Sequence, residues 1–403
     1  MATPDAPRPP LSAGRSALDR RTLWTLLTGH ALTGIGIGFF LPILPLFVRS
    51  RGGDPFLVGI IFASGVLGRT VAQYPAGWLS DRYGRKPLIL GSLLVYSLLF
   101  PLYLLPMPPE VLIGLRFVHT IAGGAYTPPA MALVADLTPP SSRGRRYSQM
   151  RASDMVGLLL GPALGGFVAG FRLEYVFAAG GVICLAATLL LLRLPAVAIA
   201  TWPGPERDAG GVDHGQAGPL GLLRLLLPVI ALSAPAAWTF GTYDTVWSLY
   251  MTSRGASTFL VGLSFATYAL PVVLFAGLGA GLADRLGHFR AGALSLVTFG
   301  LLASLYPFIA SVPLLITIGF LEGTLTAAGI PALQAEVSRL APRGAQARTQ
   351  GVFQIAFNVA EIVGSVAGGA LYGLRPAYAF FGATSVCLLG VGASLLIRRA
   401  PSA

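Results

Sequence analysis

Phe56-Leu57-Val58-Gly59 is written a second time as Phe259-Leu260-Val261-Gly262, a shift of 203 positions (259 − 56 = 203). Without a gap, the same shift pairs Arg51-Gly52 with Arg254-Gly255, Asp81-Arg82 with Asp284-Arg285, Pro128 with Pro331 and Arg145 with Arg348. It continues through Gly161 and Gly364, Gly165-Gly166 and Gly368-Gly369, Arg172 and Arg375, and Tyr175 and Tyr378, as far as Cys184-Leu185 and Cys387-Leu388. Glycine and proline hold backbone positions rather than fill volume, so their spaced recurrence marks one unit written twice. A period near 200 is too long for a solenoid, and duplicated halves in an apolar chain are a hallmark of secondary transporters.

Of the 403 residues 54% are hydrophobic and 11% charged, with a mean hydropathy of +0.71. Those values belong to a polytopic membrane protein rather than a soluble domain. Apolar stretches able to cross a core of roughly 30 Å lie near 22–48, 56–79, 87–106, 110–135, 147–171 and 174–195. Six more lie near 222–251, 258–283, 290–311, 313–336, 349–373 and 376–398. The expected fold is therefore an all-α membrane protein of 12 transmembrane helices in two pseudo-symmetric six-helix bundles. Its parts are a cytoplasmic tail over 1–21, a first bundle over 22–195, a Gly- and Pro-bearing cytoplasmic linker over 196–221, and a second bundle over 222–403. The first span is too long for a cleavable signal and reads as a retained helix.

With the N-terminus inside, twenty of the 28 Lys and Arg residues fall on the cytoplasmic side and five on the other: Arg49, Arg51, Arg172, Arg254 and Arg375. Basic loops stay in the cytoplasm, so both termini are expected there, in the cell (inner) membrane. The net charge of +12 then reflects topology and anionic lipid, not nucleic acid. Cys184 and Cys387, at equivalent depth on separate spans, read as buried packing residues rather than a disulfide.

Between spans 2 and 3 stands Gly77-Trp78-Leu79-Ser80-Asp81-Arg82-Tyr83-Gly84-Arg85-Lys86, with a weaker copy, Ala280-Gly281-Leu282-Ala283-Asp284-Arg285-Leu286-Gly287-His288, between spans 8 and 9. The chain here closely resembles the major facilitator superfamily, whose signature loop has this form. The resemblance implies a cytoplasmic gate. In it Asp81 meets the start of span 11, where a helix N-terminus favours negative charge, and Arg85 reaches Asp136. The alternative is a solvated basic loop kept for topology. Span 5 carries Gly157-Leu158-Leu159-Leu160-Gly161-Pro162-Ala163-Leu164-Gly165-Gly166. It matches the antiporter motif that this superfamily associates with efflux proteins, although glycines four apart also serve as a plain packing face. That face is expected against span 8.

Charges deep in a membrane are costly and are functional candidates by default. Arg69, Asp154, Glu322 and Glu361 are such charges. Arg69 has two possible partners: Glu361, favoured by the packing of spans 2 and 11 in the superfamily, and Asp154, at equal depth. Glu322 and His119 are related by the 203 shift. Arg116 resembles the arginine of the superfamily's proton-transfer motif, but His119 and Thr120 depart from it, and span 1 holds His30 where many drug antiporters keep an acid. Cavity candidates are Arg116, His119, His30, Tyr126, Trp238, Tyr243, Asp244 and Glu322, with Asp244 expected near the outer surface. Asp154 and Glu322 are the proton-site candidates. Asp154 is expected to lack a fixed partner because span 8 has no basic residue, and Glu322 is expected to face His119 across the cavity.

These features predict a proton-coupled efflux antiporter of amphipathic small molecules. The alternatives on the same fold are an importer or facilitator of sugars or organic anions, or a lipid flippase. An ATP-driven pump needs a phosphate loop ending in Gly-Lys, and the single lysine, Lys86, follows Arg85. Four scattered histidines offer no metal or nucleophile spacing. The expected partners are a small-molecule substrate, protons and the bilayer. The chain is expected to be a monomer and no enzyme, with no cofactor, metal or nucleic acid.

Overall fold

The structure is a computed structural model that describes residues 13–138, 142–194, 219–342 and 345–399. Among them every regular element is helical. The first half holds α1 (Ala13–Phe40), α2 (Leu44–Ser50), α3 (Pro55–Tyr83), α4 (Arg85–Leu99), α5 (Val111–Asp136), α6 (Arg143–Ala169) and α7 (Tyr175–Leu191). The second holds α8 (Pro219–Ser253), α9 (Thr258–Leu274), α10 (Ala276–Leu286), α11 (His288–Leu305), α12 (Val312–Thr326), α13 (Gly329–Leu340), α14 (Gln346–Leu374) and α15 (Pro376–Arg399). Three pairs are spans with a local break. Pro42 and Pro45, which lack backbone donors, separate α1 from α2; Phe275 follows Pro271 between α9 and α10; Ala327 and Ala328 part α12 from α13. So grouped, the helices make six rods per half. Nine stretches among the described residues are long and apolar enough to cross a membrane, and Tyr175–Leu191 and Thr258–Leu274 are shorter apolar helices. Of the expected linker, only residues 219–221 are described, and they open α8. The expected tail is described from Ala13, which already lies in α1.

The duplication is visible in the backbone. Among the described residues positive φ occurs only at Gly52 (+89°), Gly84 (+97°), Gly255 (+87°) and Gly287 (+85°). These form two pairs at the 203 shift, each in a turn where a Cβ would be strained. Asp54 caps α3 by accepting from the Leu57 amide at 2.7 Å, and its counterpart Ser257 caps α9 by accepting from Leu260 at 3.3 Å. Arg51 donates to the Tyr103 carbonyl at 3.1 Å and Arg254 to the Pro307 carbonyl at 3.0 Å. Even the aromatic cores repeat. Phe40, Phe47, Tyr96, Tyr103 and Phe177 of the first half correspond to Tyr243, Tyr250, Phe299, Tyr306 and Phe380 of the second.

The halves join toward the end bearing Arg51 and Arg254. There the Ser248 hydroxyl donates to the Pro42 carbonyl at 2.5 Å, Gly59 lies against the Ser365 backbone, Gly369 against Pro55, and Gly166 against Thr258 and Gly262. Nearer the middle, Asn358 donates to the Thr70 hydroxyl at 2.8 Å. From there toward the opposite, basic end, which carries Arg85 and Arg290, α3 exposes Tyr74 (85%), Trp78 and Asp81.

Candidate functional site

At the basic end Arg85 is the hub. Its guanidinium donates to Asp136 at 3.1 Å, to the Ser80 hydroxyl at 2.9 Å and, closely, to Asp81 one turn earlier. Lys86 donates to the Leu192 carbonyl at 2.9 Å and closely to that of Leu194, tying the loop to the end of α7. Arg82 lies over the Trp78 and Tyr83 rings, and nothing packs within 4 Å of a Cβ built on Gly77. The Asp81 side chain is 69% exposed. Its described partner is thus Arg85 and not the start of α14, where the resemblance put it. In the second copy Asp284 meets His288 at 3.2 Å, and Arg285 is exposed.

The glycine face of α6 turns out to pack on α1. Gly157 and Gly161 lie against the backbone of Gly34 and Gly38, Gly165 against Phe39, and only Gly166 reaches α9. Pro162 lies close to both sides, its ring near Gly38 and its carbonyl against Gly262. The second half copies this: Gly364 and Gly368 pack on Trp238 and Thr242 of α8. Close approach of small residues is what lets helices associate where lipid is as apolar as the side chains.

The face that α6 turns to α1 also carries Asp154, and this corrects the expectation that Asp154 has no partner. Its carboxylate lies 2.6 Å from Nε2 of His30 on α1. The other ring nitrogen of His30 is 3.0 Å from the Tyr126 hydroxyl on α5. A buried His30 thus links three helices, while Asp154 stays 40% exposed, with Arg151 at 4.0 Å.

Across the halves, Arg69 of α3 donates from one nitrogen to both oxygens of Glu361 of α14, at 2.6 and 2.5 Å. The structure therefore gives Arg69 to Glu361 and not to Asp154. Arg69 is 43% exposed and Glu361 only 9%. Asp244 of α8 is half-buried within electrostatic reach of Glu361, Arg69 and Arg116. Gly241, one turn earlier on α8, packs on the Glu361 backbone, so Asp244 stands near the depth of this pair rather than near the outer surface where it was expected. Arg116 is buried over the Phe40 ring, 5.0 Å from its centroid, and its Nε has no hydrogen-bond partner among the described residues.

His119 and Glu322 do not face each other. Each is buried in its own half beside the same tyrosine, duplicated. His119 Nε2 donates to the Tyr96 carbonyl at 3.1 Å, which leaves Nδ1 to accept from the Tyr103 hydroxyl at 3.2 Å. Tyr96 stacks on the ring at 4.0 Å. Glu322 accepts from Tyr306, the counterpart of Tyr103, at 2.5 Å and from Tyr243 at 3.3 Å. Arg116 lies one turn from His119, but the same shift puts Gly319 there in the second half, so Glu322 has hydroxyl partners and no cation partner among the described residues. Trp238 is buried, its backbone against Gly364 and its ring near Gly382, in a cluster with Ala303 and Ala383. Sequence reasoning missed Asn358, Thr70 and Tyr306. For Tyr306 a signal existed, since the 203 shift pairs it with Tyr103.

The model of the Major Facilitator Superfamily matches residues 26–234 and 229–403. The chain is 26% identical to multidrug resistance protein 2 of Bacillus subtilis, over 96% of this chain and 97% of that protein. It is 28% identical to the multi-drug resistance efflux pump PmrA of Streptococcus pneumoniae, over 89% and 91%. Among solved structures, a bacterial homolog of the human lysosomal transporter Spinster, inward-facing and occupied, superimposes with a TM-score of 0.75 at 15% identity, covering 94% and 97%. The two matched segments overlap within α8, the first helix of the second half, and together they span nearly the whole chain: it belongs to the Major Facilitator Superfamily.

Proposed function

We propose that this transporter is a proton-coupled efflux antiporter of amphipathic small molecules, working as a monomer by alternating access in the cell (inner) membrane. Its basic end faces the cytoplasm, a reading supported by the excess of arginine there. The observation that carries the reading is the contrast between two buried carboxylates. Glu361 is held across the halves by Arg69, whereas Glu322 is buried with, among the described residues, only tyrosine hydroxyls as side-chain partners. A proton can bind to and leave Glu322 without an ion pair being parted, so Glu322 suits coupling. Glu361 cannot lose its charge without releasing Arg69, so it suits holding the halves together.

The joined outer end and the exposed Tyr74, Trp78 and Asp81 support a state open to the cytoplasm, from which cargo would enter. Asp244 and the Arg69–Glu361 pair stand at the joint that must rearrange for the other side to open. Asp154 with His30 is a second place where a proton can be exchanged. Export is supported by the full-length likeness to multidrug resistance proteins and by the glycines and proline of α6. The test is uptake into inverted membrane vesicles under an imposed pH gradient, with cationic dyes, organic anions and sugars as probes. Accumulation of lipophilic dyes driven by an acidic lumen is expected. Gradient-independent equilibration of sugars or anions alone would assign the chain to import or facilitation.

A further inference from the structure

The two loops related by the duplication have diverged in charge. In the first half, Arg85 is satisfied by Asp81 and Asp136. The 203 shift turns Arg85 into His288, Pro87 into Arg290, Leu133 into Glu336, Asp136 into Arg339 and Pro195 into Arg398. The position that receives the arginine in one half is itself an arginine in the other, so the same bridge cannot form. What forms instead is a cavity of about 280 Å³ lined by His288, Arg290, Arg339 and Arg398, with Glu336 as the only acidic lining residue among those described.

Glu336 is already committed. Its side chain is 5% exposed and receives two bonds from Arg339, at 2.9 and 2.6 Å. Asp284, beside the cavity, is engaged by His288. Arg398 is held with its guanidinium 4.0 Å from the centroid of the Phe289 ring, which fixes its plane without neutralising it. Arg290 is exposed and has no ion-pair partner among the described residues. Two guanidiniums, Arg290 and Arg398, neither in a salt bridge of its own among the described residues, therefore border one cavity.

The surroundings identify the anion's source. Leu286, itself a lining residue, is exposed, as are Leu294 one turn beyond Arg290 and Leu395 and Leu396 just before Arg398. The cavity thus opens where the apolar flank of α11 and α15 ends, at the depth of a lipid headgroup with room for acyl chains alongside. We propose that this cavity binds the phosphodiester headgroup of an anionic phospholipid in the leaflet at the basic end, with Arg290 and Arg398 as its cationic contacts. A free phosphate shares the headgroup chemistry but would not use the apolar rim.

Native mass spectrometry of the full-length, detergent-purified protein tests this, with phosphatidylglycerol or phosphatidylcholine added. The wild type should retain phosphatidylglycerol in preference to phosphatidylcholine, and excess inorganic phosphate should not displace it. Each arginine near an anionic surface contributes enough for about a fivefold change, so Arg290→Gln with Arg398→Gln should weaken retention about thirtyfold. Each single change, should the double variant fold poorly, should weaken it about fivefold. Arg145→Gln with Arg146→Gln, basic residues of the first half, should leave retention unchanged. Equal retention in wild type and the Arg290/Arg398 variants, or no preference for phosphatidylglycerol, would overturn the site. Displacement by inorganic phosphate would make it a phosphate site and overturn the lipid assignment.

Discussion

Removing Arg69 and removing Glu361 should have unequal effects, although each breaks the same ion pair. Glu361 is 9% exposed, so Arg69→Gln leaves a carboxylate buried at mid-membrane depth without its cation. Breaking a buried pair in this way costs about 3 kcal/mol or more. Arg69 is 43% exposed, so after Glu361→Gln its guanidinium can turn to water, and the loss should be that of a partly solvated pair, about 1 kcal/mol. Converted at 1.4 kcal/mol per tenfold, the equilibria differ by roughly 100-fold against fivefold. The exchange Arg69→Glu with Glu361→Arg keeps a partner for each charge and should recover most of the loss. Thermal unfolding of the purified variants in detergent should rank them wild type, exchange, Glu361→Gln and, lowest, Arg69→Gln, with vesicle transport following that order. Equal losses for both single changes, or an exchange variant worse than Arg69→Gln, would show that the pair is not what holds α3 to α14.

A Cβ on Gly161 would meet the Gly38 backbone at 2.7 Å, where neither chain can yield. Gly161→Val should therefore cost about 1–3 kcal/mol or abolish folded protein, whereas Gly77→Ala, with nothing within 4 Å, should behave as wild type in fluorescence-detected size exclusion. Asp81→Asn removes one partner of Arg85 but leaves Asp136 and Ser80. It should insert normally and transport about fivefold more slowly, while Asp284→Asn, opposite only His288, should change transport less than twofold. His30→Phe strands the Tyr126 hydroxyl and releases Asp154. It should lower the unfolding temperature, and His30→Gln, which keeps a hydrogen-bonding side chain, should recover part of the loss.

The duplication was legible because glycine and proline recur where the backbone turns, and the four positive-φ glycines stand at those recurrences. The cross-half approach of Arg69 and Glu361 could be anticipated because mid-membrane charges seek partners and spans 2 and 11 are neighbours in the superfamily. The partner of Asp154 could not be foreseen, because it depends on which helix meets the glycine face of α6. Glycines four apart say that a helix packs closely but not against what, and assigning that face to span 8 hid His30. His119 misled for a related reason: its relation to Glu322 by the 203 shift is one of equivalent position in two separate cores, which puts each beside its own tyrosine rather than beside the other. Asp244 was misplaced because the ends of span 7 can be read only roughly and do not say which level of it meets Glu361, whose backbone packs on Gly241.

The central claim is that Glu322 carries the coupling proton. Proteoliposomes of wild type and Glu322→Gln, loaded or unloaded with a transported dye and subjected to an imposed pH gradient, test it directly. Glutamine keeps one acceptor oxygen for a tyrosine hydroxyl and can donate from its amide to the other, but cannot exchange a proton at this site. The account predicts that Glu322→Gln abolishes dye accumulation against its gradient while leaving dye-for-dye exchange within about twofold of wild type. Undiminished uphill accumulation by Glu322→Gln would contradict it.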